Sequence, residues 1–340
     1  MKEALVDVSV LLVFFNRPDT FQKVFEQVKI ARPSRLFLYQ DGPREGRTDD
    51  IENIAKCRTI AEDIDWECEV HHLYQEKNIG VDPSGYLADT WAFSITDKCI
   101  VLEDDVVPSI SFFSFCKKML DRYEKDERIM LISGFNVEEI SKDVLSDYFF
   151  SCTTFTWGWA TWKRVVDQWD PSYSFMNDSA KRTYFQDYIQ KKKIVKNTLN
   201  VCKAHLDSGK EHFETILCSN QYLKRGLSIV PQKNMINNIG ITQNSTHYDG
   251  NINLISKGLR RMFLMDRYEL DTEKIKHPTK VEDHMQYKVR AYRIYGWGHP
   301  VIKAYRVVET TFYKIKCGKI KDAISDIKRK YNKLVNGTSS

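Results

Sequence analysis

The sequence predicts an α/β fold with a mostly parallel central sheet flanked by helices, followed by a helical C-terminal extension. Apolar runs of strand length alternate with helical patterns over about the first 135 residues, as is typical of parallel sheets. Gly, Pro, Asn and Asp separate these segments, as expected for turns. The alternation stops after residue 135, and apolar residues at helical spacing return in about the last 40 residues.

The predicted elements follow from local patterns. Fully apolar runs indicate buried strands, and apolar residues three or four apart indicate helices with one buried face. We expect strands over residues 8–15, 35–39, 67–74, 100–102 and 129–133. We expect helices over about 21–28, 48–63, 84–94, 112–123, 181–196, 301–312 and 320–334.

Polar residues follow four of the predicted strands. They are Asn16-Arg17, Asp41, Lys77-Asn78 and Glu103-Asp104-Asp105. Parallel strands bring their carboxyl ends to one edge of the sheet, where ligands bind in folds of this class. The sequence therefore predicts one polar site built from all four clusters.

The three consecutive carboxylates Glu103, Asp104 and Asp105 end an apolar strand. Adjacent carboxylates repel one another, and burying them is costly without a counter-charge. A divalent cation, Mg²⁺ or Mn²⁺, is the counter-charge that hard oxygen ligands favour, and it in turn binds phosphates. The alternative is a solvated acidic turn. On the metal hypothesis Asp105, farthest from the strand, is the expected ligand.

The remaining polar strand ends suit a nucleotide diphosphate that carries a sugar. Glu103 and Asp104 could accept hydrogen bonds from sugar hydroxyls, and Asp41 could accept from a base N–H. Arg17 could face the base or the phosphates, because a planar guanidinium fits either. The alternatives are an ordinary loop arginine and an aspartate that stabilises its own turn.

Further candidates lie in the second half of the chain. Glu214, in an otherwise uncharged stretch, is the expected general base, because burial would raise its pKa into a useful range. Trp157 and Trp159 offer flat faces for stacking on an acceptor sugar. His247 lies in a polar loop suited to closing over a phosphate. The alternatives are a first-turn helix acid, core tryptophans and a loop histidine without a role.

Several classes of protein are disfavoured. No GxGxxG follows the first strand and no GK[ST] loop occurs, which argues against dinucleotide-binding and P-loop enzymes. The longest apolar run, residues 10–15, is far short of the ~20 residues of a membrane-spanning helix. The eight cysteines form no Cys-x-x-Cys pair, and the start of the chain has no signal-peptide pattern. We therefore expect a cytoplasmic protein.

The net charge of +5 conceals an asymmetry. Residues 288–340 hold 13 Lys and Arg against 3 Asp and Glu, whereas the rest holds 38 against 43. A basic helical tail suits an anionic membrane surface, which would make the protein peripheral on the inner membrane face. The alternative is packing on the body or in a homodimer. We do not expect nucleic-acid binding, because the tail has few aromatic residues and its neighbour is acidic.

Several motifs resemble those of GT-A fold (Rossmann-like) bacterial glycosyltransferases. The segment from Leu102 to Phe115 is most similar to the metal-site segment of the alpha-mannoside beta-1,2-N-acetylglucosaminyltransferase family. The resemblance covers about residues 8–248 and extends to Phe14-Phe-Asn-Arg-Pro, Tyr39-Gln-Asp-Gly-Pro, Asn78-Ile-Gly80, Phe155-Thr-Trp-Gly-Trp-Ala-Thr-Trp and Gly226-Leu-Ser-Ile-Val-Pro.

The resemblance implies a domain organisation and a function. Residues 1–250 would form a GT-A domain, with a nucleotide-binding half at about 1–135 and an acceptor half at about 136–250, and residues 251–340 a basic helical extension. The implied activity is metal-dependent, inverting sugar transfer from a nucleotide-diphosphate donor, most simply a UDP-sugar. The acceptor would be a glycan or a lipid-linked molecule in surface polysaccharide biosynthesis.

The resemblance also assigns residues. Asp105 would hold the metal, and Glu103 and Asp104 would contact the donor sugar. Arg17 and Asp41 would contact the base, with Asn78 and Gly80 among the other nucleotide contacts. Glu214 would take the proton of the acceptor hydroxyl. The family usually has an aspartate at the position of Glu214, so Asp207 or Glu211 could compete for that role.

Two other functions remain open. The first is a sugar-phosphate nucleotidyltransferase, which shares the sheet and the metal but usually has a Gly-rich loop after the first strand. The second is a non-catalytic carbohydrate-binding protein on the same fold.

Overall fold

The computed structural model describes residues 1–241 and 251–325, and it confirms the predicted fold class. The first part contains β1 (Val6–Phe14), α1 (Pro18–Ala31), β2 (Pro33–Gln40), α2 (Thr48–Ala61), β3 (Glu69–Tyr74), α3 (Val81–Ile95), β4 (Lys98–Glu103), β5 (Val106–Pro108), α4 (Ile110–Arg122) and β6 (Ile129–Ser133).

The second part is less regular. It contains β7 (Tyr148–Ser151), β8 (Trp159–Trp162), α5 (Lys163–Val166), α6 (Ser179–Ile189), α7 (Lys192–Ser208), α8 (Phe213–Lys224), β9 (Leu227–Pro231), β10 (Ile236–Asn238), α9 (Lys257–Arg260), α10 (Met285–Tyr295) and α11 (Pro300–Lys316). No helix among the described residues is long and apolar enough to cross a membrane.

An eight-stranded sheet forms the centre of the molecule, in the order β3-β2-β1-β4-β8-β6-β9-β7. The pairs β3–β2, β2–β1, β1–β4 and β6–β9 are parallel, whereas β8 and β7 run antiparallel to their neighbours. Val10, Leu11 and Leu12 of β1 are at most 1% exposed. This continuous burial is what helices on both faces of a central strand require.

A separate two-stranded ladder lies beside this sheet. β5 pairs antiparallel with β10, so that Val106 lies opposite Asn238. β5 directly follows the acidic triplet, and the ladder therefore fixes the backbone on the far side of the three carboxylates.

The structure differs from the predicted elements at one long helix. Residues 181–196 do not form one helix, because Gln190 has a φ of 60° and ends α6 before α7 begins. The C-terminal region is attached to the body by a second apolar cluster, to which Met262, Met265, Tyr287 and Ala291 contribute.

Candidate functional site

The carboxyl ends of β1 and β4 bring Arg17 against the acidic triplet. The Arg17 guanidinium donates to both carboxylate oxygens of Asp104, and its Nη1 lies 2.9 Å from Asp105 Oδ2. Burial lowers the pKa of Arg17, but the charges of Asp104 and Asp105 outweigh that effect and raise it. One guanidinium thus neutralises part of the charge of three carboxylates.

Asp105 has the features of a cation ligand. It is 8% exposed, and its Oδ1 is buried with no hydrogen-bond partner among the described residues. Burial raises the pKa of Asp105, and Arg17 offsets part of that rise. A buried carboxylate oxygen without a partner is costly, so a cation on Oδ1 would satisfy it.

The residues after β10 fix the position of Asp105. The Ile239 N–H donates to the Asp105 carbonyl at 2.8 Å. A Cβ added to Gly240 would lie 2.1 Å from Asp105 Oδ2, so the glycine allows the close approach of that carboxylate. Sequence reasoning missed this role for Gly240.

The protein offers few ligands to a metal at this edge. Within residues 1–241 and 251–325, no three His, Cys, Asp or Glu side chains form a ready metal site. Mg²⁺ characteristically binds through one or two carboxylates and takes its other ligands from water and substrate phosphates. The residues present therefore fit a cation that arrives with a phosphorylated substrate.

Glu103, half-buried at the end of β4, interacts electrostatically with Glu214 as well as with its neighbours in the triplet. The pKa of Glu103 is well above its usual value, because the carboxyl is desolvated and lies near the charges of Asp105, Glu214 and Asp104, in that order of size. The structure thus brings Glu214 into the electrostatic neighbourhood of the triplet.

The environment of Glu214 differs from the predicted one. Glu214 occupies the first turn of α8, where it is exposed and accepts a hydrogen bond from Thr156 Oγ1 at 3.3 Å. The burial expected to raise its pKa is absent, and that part of the prediction is wrong. The competing Asp207 pairs with Lys203 at 3.0 Å.

The contacts of Asp41 correct the role expected of it. Asp41 accepts from the N–H groups of Gly42, Ile79 and Gly80 and from Asn78 Nδ2, at 2.7 to 3.1 Å. A carboxylate can accept about four hydrogen bonds, so these four fill its accepting capacity. Asp41 and Asn78 therefore hold the turn before α3. Asp41 is not free for a base, whereas the nucleotide contact expected of Asn78 stays a prediction.

Asp104 also differs from its expected role. It is 3% exposed, and it accepts from the Phe15 N–H at 3.3 Å besides binding Arg17. Asp104 therefore fixes Arg17 and the end of β1, and its burial is unfavourable for a contact with a sugar hydroxyl. Gly80, at a φ of 93°, faces open space at the start of α3, and its role in nucleotide binding stays a prediction.

A large cavity of about 1210 Å³ opens beside Glu214. Trp157 lines it, half-buried, with its ring 4.7 Å from Phe135 and 5.0 Å from Phe263. Sequence reasoning missed the contributions of the C-terminal region, namely Met262, Phe263, Tyr295 and Trp297. These residues are far from Glu214 in the sequence, so no local pattern connects them to it. The Gly-Trp-Gly at 296–298 is the one unusual local pattern that could have drawn attention to this region.

The two tryptophans around Gly158 have different environments. Trp159 is 1% exposed, lies in β8 and stacks on Phe213 at 6.0 Å. The prediction that Trp159 contacts an acceptor sugar is therefore wrong, because its ring belongs to the core. Gly158, at a φ of 59°, turns the chain between them. His247 lies outside the described residues.

Comparison with known proteins yielded only distant structural similarity. No family model matches the chain, and no curated protein matches it. A UDP-glucose pyrophosphorylase complexed with UDP-glucose is 12% identical, with a TM-score of 0.32 over 72% of this chain and 94% of that one.

Two further solved structures are similar to the same degree. The inositol-1-phosphate CTP transferase from T. maritima is 9% identical, with a TM-score of 0.36 over 76% of this chain and 96% of that one. The 4-diphosphocytidyl-2C-methyl-D-erythritolsynthase from Anaerococcus prevotii DSM 20548 is 12% identical, with a TM-score of 0.27 over 48% and 76%.

These matches correct the expected activity. All three structures are nucleotidyltransferases, and none belongs to the mannoside N-acetylglucosaminyltransferase family. The prediction of a glycosyltransferase is therefore contradicted, and the alternative of a sugar-phosphate nucleotidyltransferase agrees better with the matches.

Proposed function

We propose that this chain is a metal-dependent nucleotidyltransferase that joins a nucleoside triphosphate to a sugar phosphate and releases pyrophosphate. The observation that carries the proposal is the buried Oδ1 of Asp105, which has no hydrogen-bond partner within the described part of the chain and lies beside the Arg17 guanidinium. A carboxylate and a guanidinium side by side suit a metal–triphosphate complex, in which cation and phosphates carry opposite charges.

The proposed reaction is a displacement at phosphorus. An oxygen of the sugar phosphate attacks the α-phosphorus, the bond to the bridging oxygen breaks, and pyrophosphate leaves with the electron pair. Mg²⁺ or Mn²⁺ on Asp105 would offset the charge that develops on the phosphates. A UDP-sugar, expected above as the donor, would be the product when the nucleotide is UTP.

This chemistry changes the role expected of Glu214. A phosphate ester is already anionic at neutral pH, so the nucleophile needs no general base. Glu214 lies beside the cavity and remains exposed, which suits a carboxylate that accepts a hydrogen bond from a sugar hydroxyl. Trp157 on the same cavity would pack against the sugar ring.

Arg17 would hold the phosphates in place of a Gly-rich loop. The turn after β1 is Phe15-Asn-Arg-Pro, which contains no glycine. The guanidinium is aligned by two bonds to Asp104, and its Nη1 faces Asp105. Arg17 is therefore preorganised beside the expected position of the triphosphate. As a consequence, its side chain loses less conformational freedom when substrate binds.

The proposal is tested by measuring pyrophosphate release from each of the four nucleoside triphosphates combined with a panel of sugar 1-phosphates, with Mg²⁺ or Mn²⁺. We expect release that requires both substrates and the metal. Asp105→Asn should lower kcat/KM at least about a hundredfold, the loss typical of removing one charge-stabilising group. Asp63→Asn, on a surface carboxylate that is 64% exposed, is the matched control and should be fully active.

Two outcomes would count against the proposal. If no pair of substrates releases pyrophosphate although nucleotides bind, the reaction is a different one. If Asp105→Asn retains the activity of Asp63→Asn, the metal is held elsewhere.

The large cavity favours a second candidate, a carbohydrate-binding protein without catalysis. Its four half-buried aromatic rings, Trp157, Phe263, Tyr295 and Trp297, are suited to stacking on sugars. Sugar binding that is independent of nucleotide and metal, with no turnover, would support this candidate over the enzyme.

We also propose a cytoplasmic location. All eight cysteines are free thiols, and five of them are buried. Free buried thiols are typical of a reducing compartment. Fractionation of cells that produce the full chain tests this proposal.

A further inference from the structure

Helix α11 presents an apolar stripe to solvent. Val301, Tyr305, Val308, Phe312 and Ile315 are 79%, 65%, 68%, 61% and 51% exposed. They are spaced four, three, four and three residues apart, so they lie in one line along the helix. A contiguous exposed apolar surface of this kind marks an interaction site.

The opposite face of α11 is attached to the body. Arg306 donates to the carbonyls of Ile294 and Tyr295 at the end of α10. The Lys257 N–H donates to Glu309 at 3.3 Å, and the Arg260 guanidinium lies 5.1 Å from the Tyr313 ring. Because these contacts fix the rotation of the helix, the apolar stripe points away from the protein.

Lysines accompany the stripe. Lys316 and Lys321 are exposed near its C-terminal end, whereas Lys303 is exposed on the other side of the helix. The acidic residues of the described segment 300–325 are Glu309, which binds inward, and Asp322. The apolar line continues past the turn at 317–318 with Ile320 and Ile324, 53% and 49% exposed.

We propose that α11 and the residues that follow it bind an anionic lipid surface, with the apolar stripe among the acyl chains and the lysines at the headgroups. Charge decides between lipid and a second copy of the chain. Two copies joined through this face would oppose lysines to lysines, whereas anionic lipid neutralises them. This surface does not depend on the proposed catalytic function.

Co-sedimentation of the full chain with vesicles tests the proposal. We expect strong binding to vesicles of phosphatidylcholine with phosphatidylglycerol, weak binding to phosphatidylcholine alone, and weaker binding as salt increases. The double variant Val308→Asp/Phe312→Asp should lose about tenfold or more in binding, because two apolar side chains no longer leave water. Leu145→Asp, at a residue that is 95% exposed outside the stripe, is the control and should bind like wild type.

Thermal unfolding of both variants verifies that they are folded. Equal vesicle binding by wild type and Val308→Asp/Phe312→Asp would overturn the proposal. So would a concentration-dependent dimer, measured by light scattering, that the double variant abolishes while wild type does not bind vesicles.

Discussion

Asp105→Asn is the substitution that isolates the proposed cation ligand from the rest of the site. Asparagine keeps the shape of the side chain but removes its charge, so Arg17 retains Asp104 as a partner. Without a divalent cation we expect the variant to be no less stable than wild type. The reason is that burial and the neighbouring Asp104 already make an ionised Asp105 costly, as its raised pKa shows.

The difference should appear when a cation is added. At a free cation concentration about a hundred times Kd, binding stabilises the folded state by about 2.7 kcal/mol. For 340 residues the unfolding entropy is about 0.7 kcal/mol per kelvin. The Tm of wild type should therefore rise by about 4 °C, and that of Asp105→Asn should scarcely change.

Differential scanning calorimetry in Mn²⁺ titrations, with and without nucleoside triphosphate, measures this effect. The nucleotide arm matters because the protein alone supplies few ligands, so the rise for wild type should be largest when both are present. The reasoning would be refuted by equal Mn²⁺-dependent shifts in wild type and Asp105→Asn, because another group would then hold the ion.

Three further predictions concern residues around and outside this site. Gly240→Ala should lower kcat/KM about a hundredfold, because its Cβ would displace Asp105, and raising the Mn²⁺ concentration should not restore the rate. Asp89→Asn should be more stable than wild type, since burial raises the pKa of Asp89 and its Oδ1 has no partner among the described residues. Chemical denaturation should show this advantage growing by up to about 1.4 kcal/mol per pH unit as pH rises above 3.8, over the range in which only the folded chain stays protonated. Burial and His212 lower the pKa of His205, so folding should lose stability as pH falls below 6.5, and His205→Gln should flatten that part of the pH–Tm curve.

The first half of the sheet was predictable because its strands are almost entirely apolar. The predicted strands 35–39 and 100–102 lie within β2 and β4, and 8–15 overlaps β1 in all but its last residue. Helices shield both faces of these strands. The same pattern brought Arg17 and Asp105 to one edge, as the rule for parallel strands requires. The buried strands and the polar residues that follow them are both visible in the local sequence.

What escaped prediction depends on contacts between distant parts of the chain. The β5–β10 ladder joins residues about 130 positions apart, and nothing near Gly240 indicates that it adjoins Asp105. The role of Asp41 could not be decided from the sequence, because its carboxylate oxygens can accept hydrogen bonds either from a turn or from a ligand. The face of a single tryptophan such as Trp159 depends on the φ of its neighbouring glycine, which the sequence does not specify.

The position of β8 has a consequence for how the chain must fold. β8 lies between β4 and β6, although it follows both in sequence, and it pairs antiparallel with each. In a fragment ending at residue 135, β8 would be missing between β4 and β6, so these two strands could not be joined in one sheet as they are here. The fragment would also lack β10. The edge of the sheet that carries Arg17 and Asp105 should therefore form late in folding, after strands from the second half of the chain have been added. Limited proteolysis should accordingly fail to release a stable N-terminal fragment.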